Sequence, residues 1–143
     1  MVYEFLDHKS DVYVRVVAPS ISRAFEEAAL ATFAVMLEPP SVRCKKTIDL
    51  KLEATDLEQL LYMWVDRLLY HFDADGFALA RAEVRSLRRA PAGGFRLSAR
   101  LHGEDYDPES HGQKVGVKAM TYSLMSISRA PSGGVELRFV LDI

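Results

Sequence analysis

A chain of 143 residues, 49% hydrophobic and 27% charged, has the length and apolar content of one soluble globular domain with its own core. Its formal net charge of −2 excludes a wholesale nucleic-acid binder, which is usually basic, so any RNA contact is local or indirect. The single cysteine, Cys44, excludes an intramolecular disulfide framework and a cysteine-based zinc cluster, and no run reaches the roughly 18 apolar residues of a membrane span.

From Met1 onward no basic segment precedes an apolar stretch, so no secretory signal is expected and a reducing, cytoplasmic setting fits. Asp11 opens the first long strand, in which Val12, Val14 and Val16 face one way and Tyr13, Arg15 and Val17 the other. A helix follows from about Ser20 to residue 36 or 37. Phe25, Ala28, Ala29, Phe33 and Met36 form its apolar stripe. Glu26 and Glu27 are expected in its first turns, where the helix dipole favours negative charge, and Pro39 and Pro40 end it. A second strand alternates Ile48, Leu50 and Leu52 with Asp49, Lys51 and Glu53.

The second helix, expected over residues 55–73, carries Leu57, Leu60, Leu61, Trp64, Val65, Leu68, Leu69 and Phe72 at unbroken three- and four-residue spacing. Thr55 and Glu58 have the spacing of a capping box, and Gly76 is free to close the helix in a left-handed conformation. Asp73 and Asp75 ahead of Gly76 superficially suggest a calcium loop, but the later acidic positions are missing, so a helix-ending turn is expected there. Two near-identical stretches, residues 90–94 and 130–134, each close on a Gly-Gly pair and signal hairpins. The last strand places Val135, Leu137, Phe139 and Leu141 on one face. No internal repeat and no low-complexity linker is visible. The expected fold is α+β, a single domain over residues 1–143 with two helices packed on mostly antiparallel sheet.

For chemistry, the two ends of the chain stand out. Asp11 and Asp142 both point away from the core side of their strands by parity, and Ile143, as the final residue, adds an α-carboxylate beside Asp142. Neighbouring first and last strands would bring three carboxylates together, a charge conflict that a divalent cation such as Ca²⁺ or Mg²⁺ would resolve. The alternative is a set of solvated strand ends. Six arginines crowd one hairpin: Arg81, Arg85, Arg88, Arg89, Arg96 and Arg100. Either they form a solvated strand face or they contact RNA or a partner. His111 reads as a loop residue, and His71 and His102 have no local partner. No nucleophile with an adjacent base, no phosphate-cradling loop and no zinc-ligand spacing is legible.

The row Asp7, His8, Lys9, Ser10, Asp11 is similar to the Asp-His-Thr-Ala-Asp signature near the start of archeases. Residues 56–65 and 69–73 resemble that family's central helix. Gly103 and Glu104, then Asp107 to Glu109 with His111, then residues 117–122 match its second half in order, and residues 141–143 match its end. The resemblance covers the whole chain. It implies a metal site made by Asp11, Asp142 and Ile143, with Ca²⁺ or another divalent cation. Asp7, His8 and Lys118 are placed as supporting or partner-contacting residues. Lys9 and Ser10 stand where the family has Thr-Ala, which puts an extra positive charge beside the site. The resemblance further implies a non-catalytic activator of the GTP-dependent, RtcB-type tRNA-splicing RNA ligase. Such a protein promotes transfer of GMP to the ligase's active-site histidine, raises multiple turnover and can broaden nucleotide use. Two alternatives stand beside it: a chaperone-like modulator of nucleic-acid-modifying enzymes, and a metal-dependent enzyme acting on nucleotides or RNA ends.

Overall fold

The two apolar stripes become helices α1 (Ile21–Met36) and α2 (Leu57–Asp75) in a computed structural model that describes residues 2–6 and 11–143. Phe25, Ala28, Ala29, Phe33 and Met36 are buried along α1, and Leu60, Leu61, Trp64, Val65, Leu68 and Leu69 along α2, as their spacing predicts. The entry to α2 differs from the expected box of Thr55 and Glu58. The cap is Asp56, whose Oδ1 accepts the Gln59 amide at 2.7 Å, while the Gln59 Oε1 accepts the Thr55 amide at 2.8 Å and the Thr55 hydroxyl at 2.9 Å. Aspartate caps more strongly than threonine, and glutamine supplies the return bond equally well, so the box forms one residue later. At the other end α2 runs two residues beyond 73 and stops on Gly76, left-handed at φ 63° and ψ 32°.

Helix α1 is capped by Ser20, whose hydroxyl oxygen accepts the Arg23 amide at 3.2 Å. Its first turn holds no acid. Glu26 and Glu27 lie a turn later, so the helix dipole does not explain them. Glu26 instead reaches out of the helix to accept the Val84 amide at 2.8 Å. Glu27 is buried, and burial pushes its carboxyl above the ordinary value.

Two sheets complete the frame. The first has the order β1 (Val2–Leu6), β2 (Asp11–Ala18), β7 (Val135–Asp142), β6 (Ala119–Arg129), and the second the order β3 (Lys46–Ala54), β5 (Phe95–Asp105), β4 (Phe77–Arg89). Each described pairing is antiparallel. Strand β1 is not foreshadowed in the sequence, because residues 2–6 lack a clean apolar–polar alternation. A third helix, the four-residue α3 (Pro108–His111), and a 3₁₀ turn (Pro39–Ser41) are likewise additions.

The topology contains a repetition that the sequence does not announce. Strand β2, helix α1 and the β6–β7 hairpin form one unit; β3, α2 and the β4–β5 hairpin form another. In both, the lone strand pairs with the second strand of the hairpin, and the second unit is nested inside the first. Even the joints correspond. Ala18 precedes the Ser20 cap as Ala54 precedes the Asp56 cap, and Ala18 faces Val135 as Ala54 faces Phe95. Gly134 and Gly94 pack on these alanines so closely that a Cβ on either would lie 2.4 Å from the Ala18 or Ala54 carbonyl oxygen. What recurs is backbone path and turn chemistry, not side chains. Each helix packs chiefly on the other unit's hairpin, α1 on β4 and α2 on β6, so one continuous core joins both sheets. No helix among the described residues is long and apolar enough to cross a membrane.

Candidate metal site and its surroundings

Strand parity sends Val14, Val16 and Ala18 of β2 and Leu137, Phe139 and Leu141 of β7 into the core. Asp11, Tyr13 and Arg15 therefore share the outward face with Asp142, Val140 and Arg138. The register places Asp11 directly opposite Asp142. Side chains so placed on antiparallel strands stand about 5 Å apart at Cβ, and like charges there repel. Ala119 flanks Asp142 on β6, and the Lys118 amide donates to the Asp142 carbonyl at 2.8 Å, with the Lys118 side chain exposed. Ile143 follows directly, partly buried against the core. The structure thus brings Asp11, Asp142, Ile143 and Lys118 to one end of one sheet. Asp7 and His8 lie outside the described residues. Among the described residues, no three His, Cys, Asp or Glu side chains gather as a metal cluster.

Beyond Tyr13 the same face carries a charge network. Arg15 donates through Nε to Glu136 at 2.9 Å and pairs with Glu4 at 3.1 Å, and Arg138 donates to Glu136 at 3.1 Å. Burial alone would raise the Glu136 carboxyl, but the two guanidiniums outweigh it and hold the group below its ordinary value.

The histidines are better partnered than their sequence neighbourhoods suggest. His71 contacts Asp75, one helical turn on, at 2.6 Å, and His102 contacts Glu83 at 3.1 Å. His111 is no loop residue. It ends α3 at 2% exposure, its Nδ1 accepts the Asp107 amide at 3.0 Å, and its Nε2 therefore carries the proton given to Glu104 at 3.0 Å. Both ring nitrogens are engaged within the fold, which leaves none to act as a general base. The Glu104 carboxylate also accepts the Arg43 amide at 2.8 Å, and this bond first, then the one from His111, holds it below its ordinary value. A carboxyl so depressed binds fewer protons folded than unfolded. Its contribution is complete above the ordinary carboxylate range and is lost as the pH falls from there through the depressed value. Unfolding midpoints measured from pH 7 down to pH 3 should therefore fall less steeply in Glu104→Gln than in the wild type. Parallel curves would show that Glu104 does not couple folding to pH.

Strand β6 departs from the ladder beside the site. Thr121 pairs with Val140 and Ser126 with Arg138, so residues 122–125 stand against the single residue Phe139. This excursion includes Leu124 at φ 59° and stacks Tyr122 on Tyr62 of α2, ring centroids 4.7 Å apart. On the other sheet most of the crowded arginines are tied up. Arg100 binds Asp49 at 2.7 Å, Arg96 pairs with Glu53 at 3.1 Å, Arg85 with Glu83 at 3.8 Å, and Arg89 lies over the Phe95 ring.

An α+β chain of two nested strand–helix–hairpin units, with carboxylates facing each other across its first long and last strands, defines the class. Residues 3–143 match the family described as Archease protein family (MTH1598/TM1083). The chain is 36% identical over 141 residues to Protein archease of Sulfolobus acidocaldarius, with 99% of this chain and 98% of that one covered. It is likewise 36% identical to Protein archease of Pyrococcus furiosus over the same shares, and 37% identical over 142 residues to that of Pyrobaculum calidifontis, covering 99% and 95%. The solution structure of Methanobacterium thermoautotrophicum protein 1598 superposes with a TM-score of 0.82 at 27% identity, over 99% of this chain and 98% of that one. The chain belongs to the archease family, and membership supports an accessory protein that works with a protein partner.

Proposed function

We propose that this protein is a metal-binding accessory factor of an RtcB-type, GTP-dependent RNA ligase, promoting the ligase's guanylylation and multiple turnover while ligating nothing itself. Family membership supports the accessory role. The single observation that carries the site is the register of β2 and β7, which sets Asp11 opposite Asp142 on the outward face.

The donor set suits a hard divalent cation. Asp11, Asp142 and the α-carboxylate of Ile143 offer oxygen only, and calcium accepts irregular oxygen shells completed by water, whereas magnesium demands a stricter octahedron. The bound cation would supply charge compensation for the facing carboxylates. Lys118, fixed by its backbone to Asp142, presents a positive side chain beside them to a ligase or its nucleotide.

The test is multiple-turnover ligation by a purified RtcB-type ligase with GTP and Mn²⁺. Added protein should raise the number of turnovers and the guanylylated fraction of the ligase, and the protein alone should join nothing. Unchanged turnover, or ligation without the ligase, overturns the reading.

A further inference from the structure

The outward face of the three-stranded sheet carries its charges in rungs across β3, β5 and β4. On the rung of Asp49, Arg100 and Glu83 acids flank the arginine, and Arg100 is bound by Asp49 at 2.7 Å. Towards the 90–94 turn the pattern changes. Lys51, Ser98 and Ser86 stand side by side, and on the next outward rung Glu53, Arg96 and Arg88. Two short serines between longer arms leave a depression of about 440 Å³, lined by Lys51, Glu53, Ser86, Arg88, Arg96 and Ser98 together with the core leucines Leu52 and Leu97. Three cations face one carboxylate there, in a chain whose formal net charge is −2. Glu53 leans on Arg96 at 3.1 Å and is itself 73% exposed. Among the described residues neither Lys51 nor Arg88 has a carboxylate partner.

The depression depends on a built irregularity. Simple alternation from outward Glu83 would turn Ser86 and Arg88 towards the core. The register shift between Val84 and Ser86 inserts Arg85 as an extra residue and reverses the phase, so that Ser86 meets Ser98 and Arg88 meets Arg96 on the outside. The bulge is held from behind, where Glu26 of α1 accepts the Val84 amide at 2.8 Å.

We propose that this depression binds the phosphodiester backbone of a nucleic-acid strand. Lysine and arginine arms around serine hydroxyls are the donor set that phosphate oxygens use, and such contacts position a strand without reading its sequence. The lining includes no aromatic ring to stack a base, and its two leucines, Leu52 and Leu97, are buried in the core, whereas a site for a free nucleotide would need an accessible apolar or aromatic wall. Contact through three cations is weak and strongly salt-dependent, with a slope of log affinity against log salt of about −2 for a single strand.

The experiment is fluorescence anisotropy of a labelled single-stranded oligouridylate titrated with the full chain between about 50 and 200 mM salt. Lys51→Ala/Arg88→Ala should weaken low-salt binding at least tenfold and flatten the slope to about −0.7, since one cation remains. The double variant Arg43→Ala/Arg67→Ala removes the same charge from exposed positions elsewhere and should leave both readings near wild type. Each substitution is at the surface, and an unchanged melting temperature checks the fold. Absence of wild-type binding at low salt overturns the proposal, as does equal weakening in the two double variants. Displacement of the oligonucleotide by equimolar GTP would mark a nucleotide site and overturn it as well.

Discussion

Asp142→Ala and Asp11→Ala will each weaken calcium binding at least tenfold, about 1.4 kcal/mol, and abolish ligase activation without unfolding the protein. The two residues place like charges side by side across β2 and β7. Like charges directly opposed on neighbouring strands are destabilising, so Asp142→Ala should leave the metal-free protein about as stable as the wild type. Calcium separates the two, because a ligand that binds only the folded state stabilises it by about 2.7 kcal/mol at a hundred times its dissociation constant. The wild type should therefore gain melting temperature on calcium addition, and neither variant should. An uncharged extension after Ile143 should blunt the gain too, because it moves the third carboxylate away. Calorimetric titration of wild type, both alanine variants and the extended form decides the matter. Equal affinities across the four would reduce the site to solvated strand ends.

What could be read from one sequence divides along the range of the interactions. The burial of Trp64 and Leu68 and the outward direction of Asp11 and Asp142 follow from periods of 3.6 and 2, which are local facts. That Asp11 lies opposite Asp142 is a matter of register between strands at the two ends of the chain, and parity says nothing about it. The nested repetition was hidden for the same reason: its units share turns and pairing order, while their side chains differ. Bulges escape as well. Phase reversal at Val84 and Ser86 turns an apparently inward Arg88 outward, and the four residues 122–125 are absorbed against Phe139 without any break in composition. His111 looked like a loop residue because its partners, Glu104 and the Asp107 amide, meet it only when β5 and α3 fold together.

Trp64→Ala will cost about 3–5 kcal/mol, the range for emptying a large aromatic site, against a total stability of about 5–15 kcal/mol for an ordinary domain. Trp64 is fully buried on α2, its ring lies against Phe25 at 6.3 Å between centroids, and its Nε1 donates to the Phe25 carbonyl of α1 at 2.9 Å. The two nested units meet here, each helix bound to the other unit's hairpin, so the cavity opens where they lock. The carbonyl sits inside α1 and keeps its helical bond, so losing the indole N–H leaves no orphaned acceptor, and the cost is chiefly one of volume. Trp64→Phe should accordingly cost less than half as much as Trp64→Ala. Urea unfolding followed by circular dichroism is the measurement, because the chain's one tryptophan is the residue removed. The midpoint should drop with the slope unchanged, the sign of lost stability in an intact two-state fold. The calcium binding proposed at Asp11 and Asp142, on the outward face of the four-stranded sheet, should survive in the folded fraction. A loss under about 1 kcal/mol would mean that the helices are not joined through Trp64.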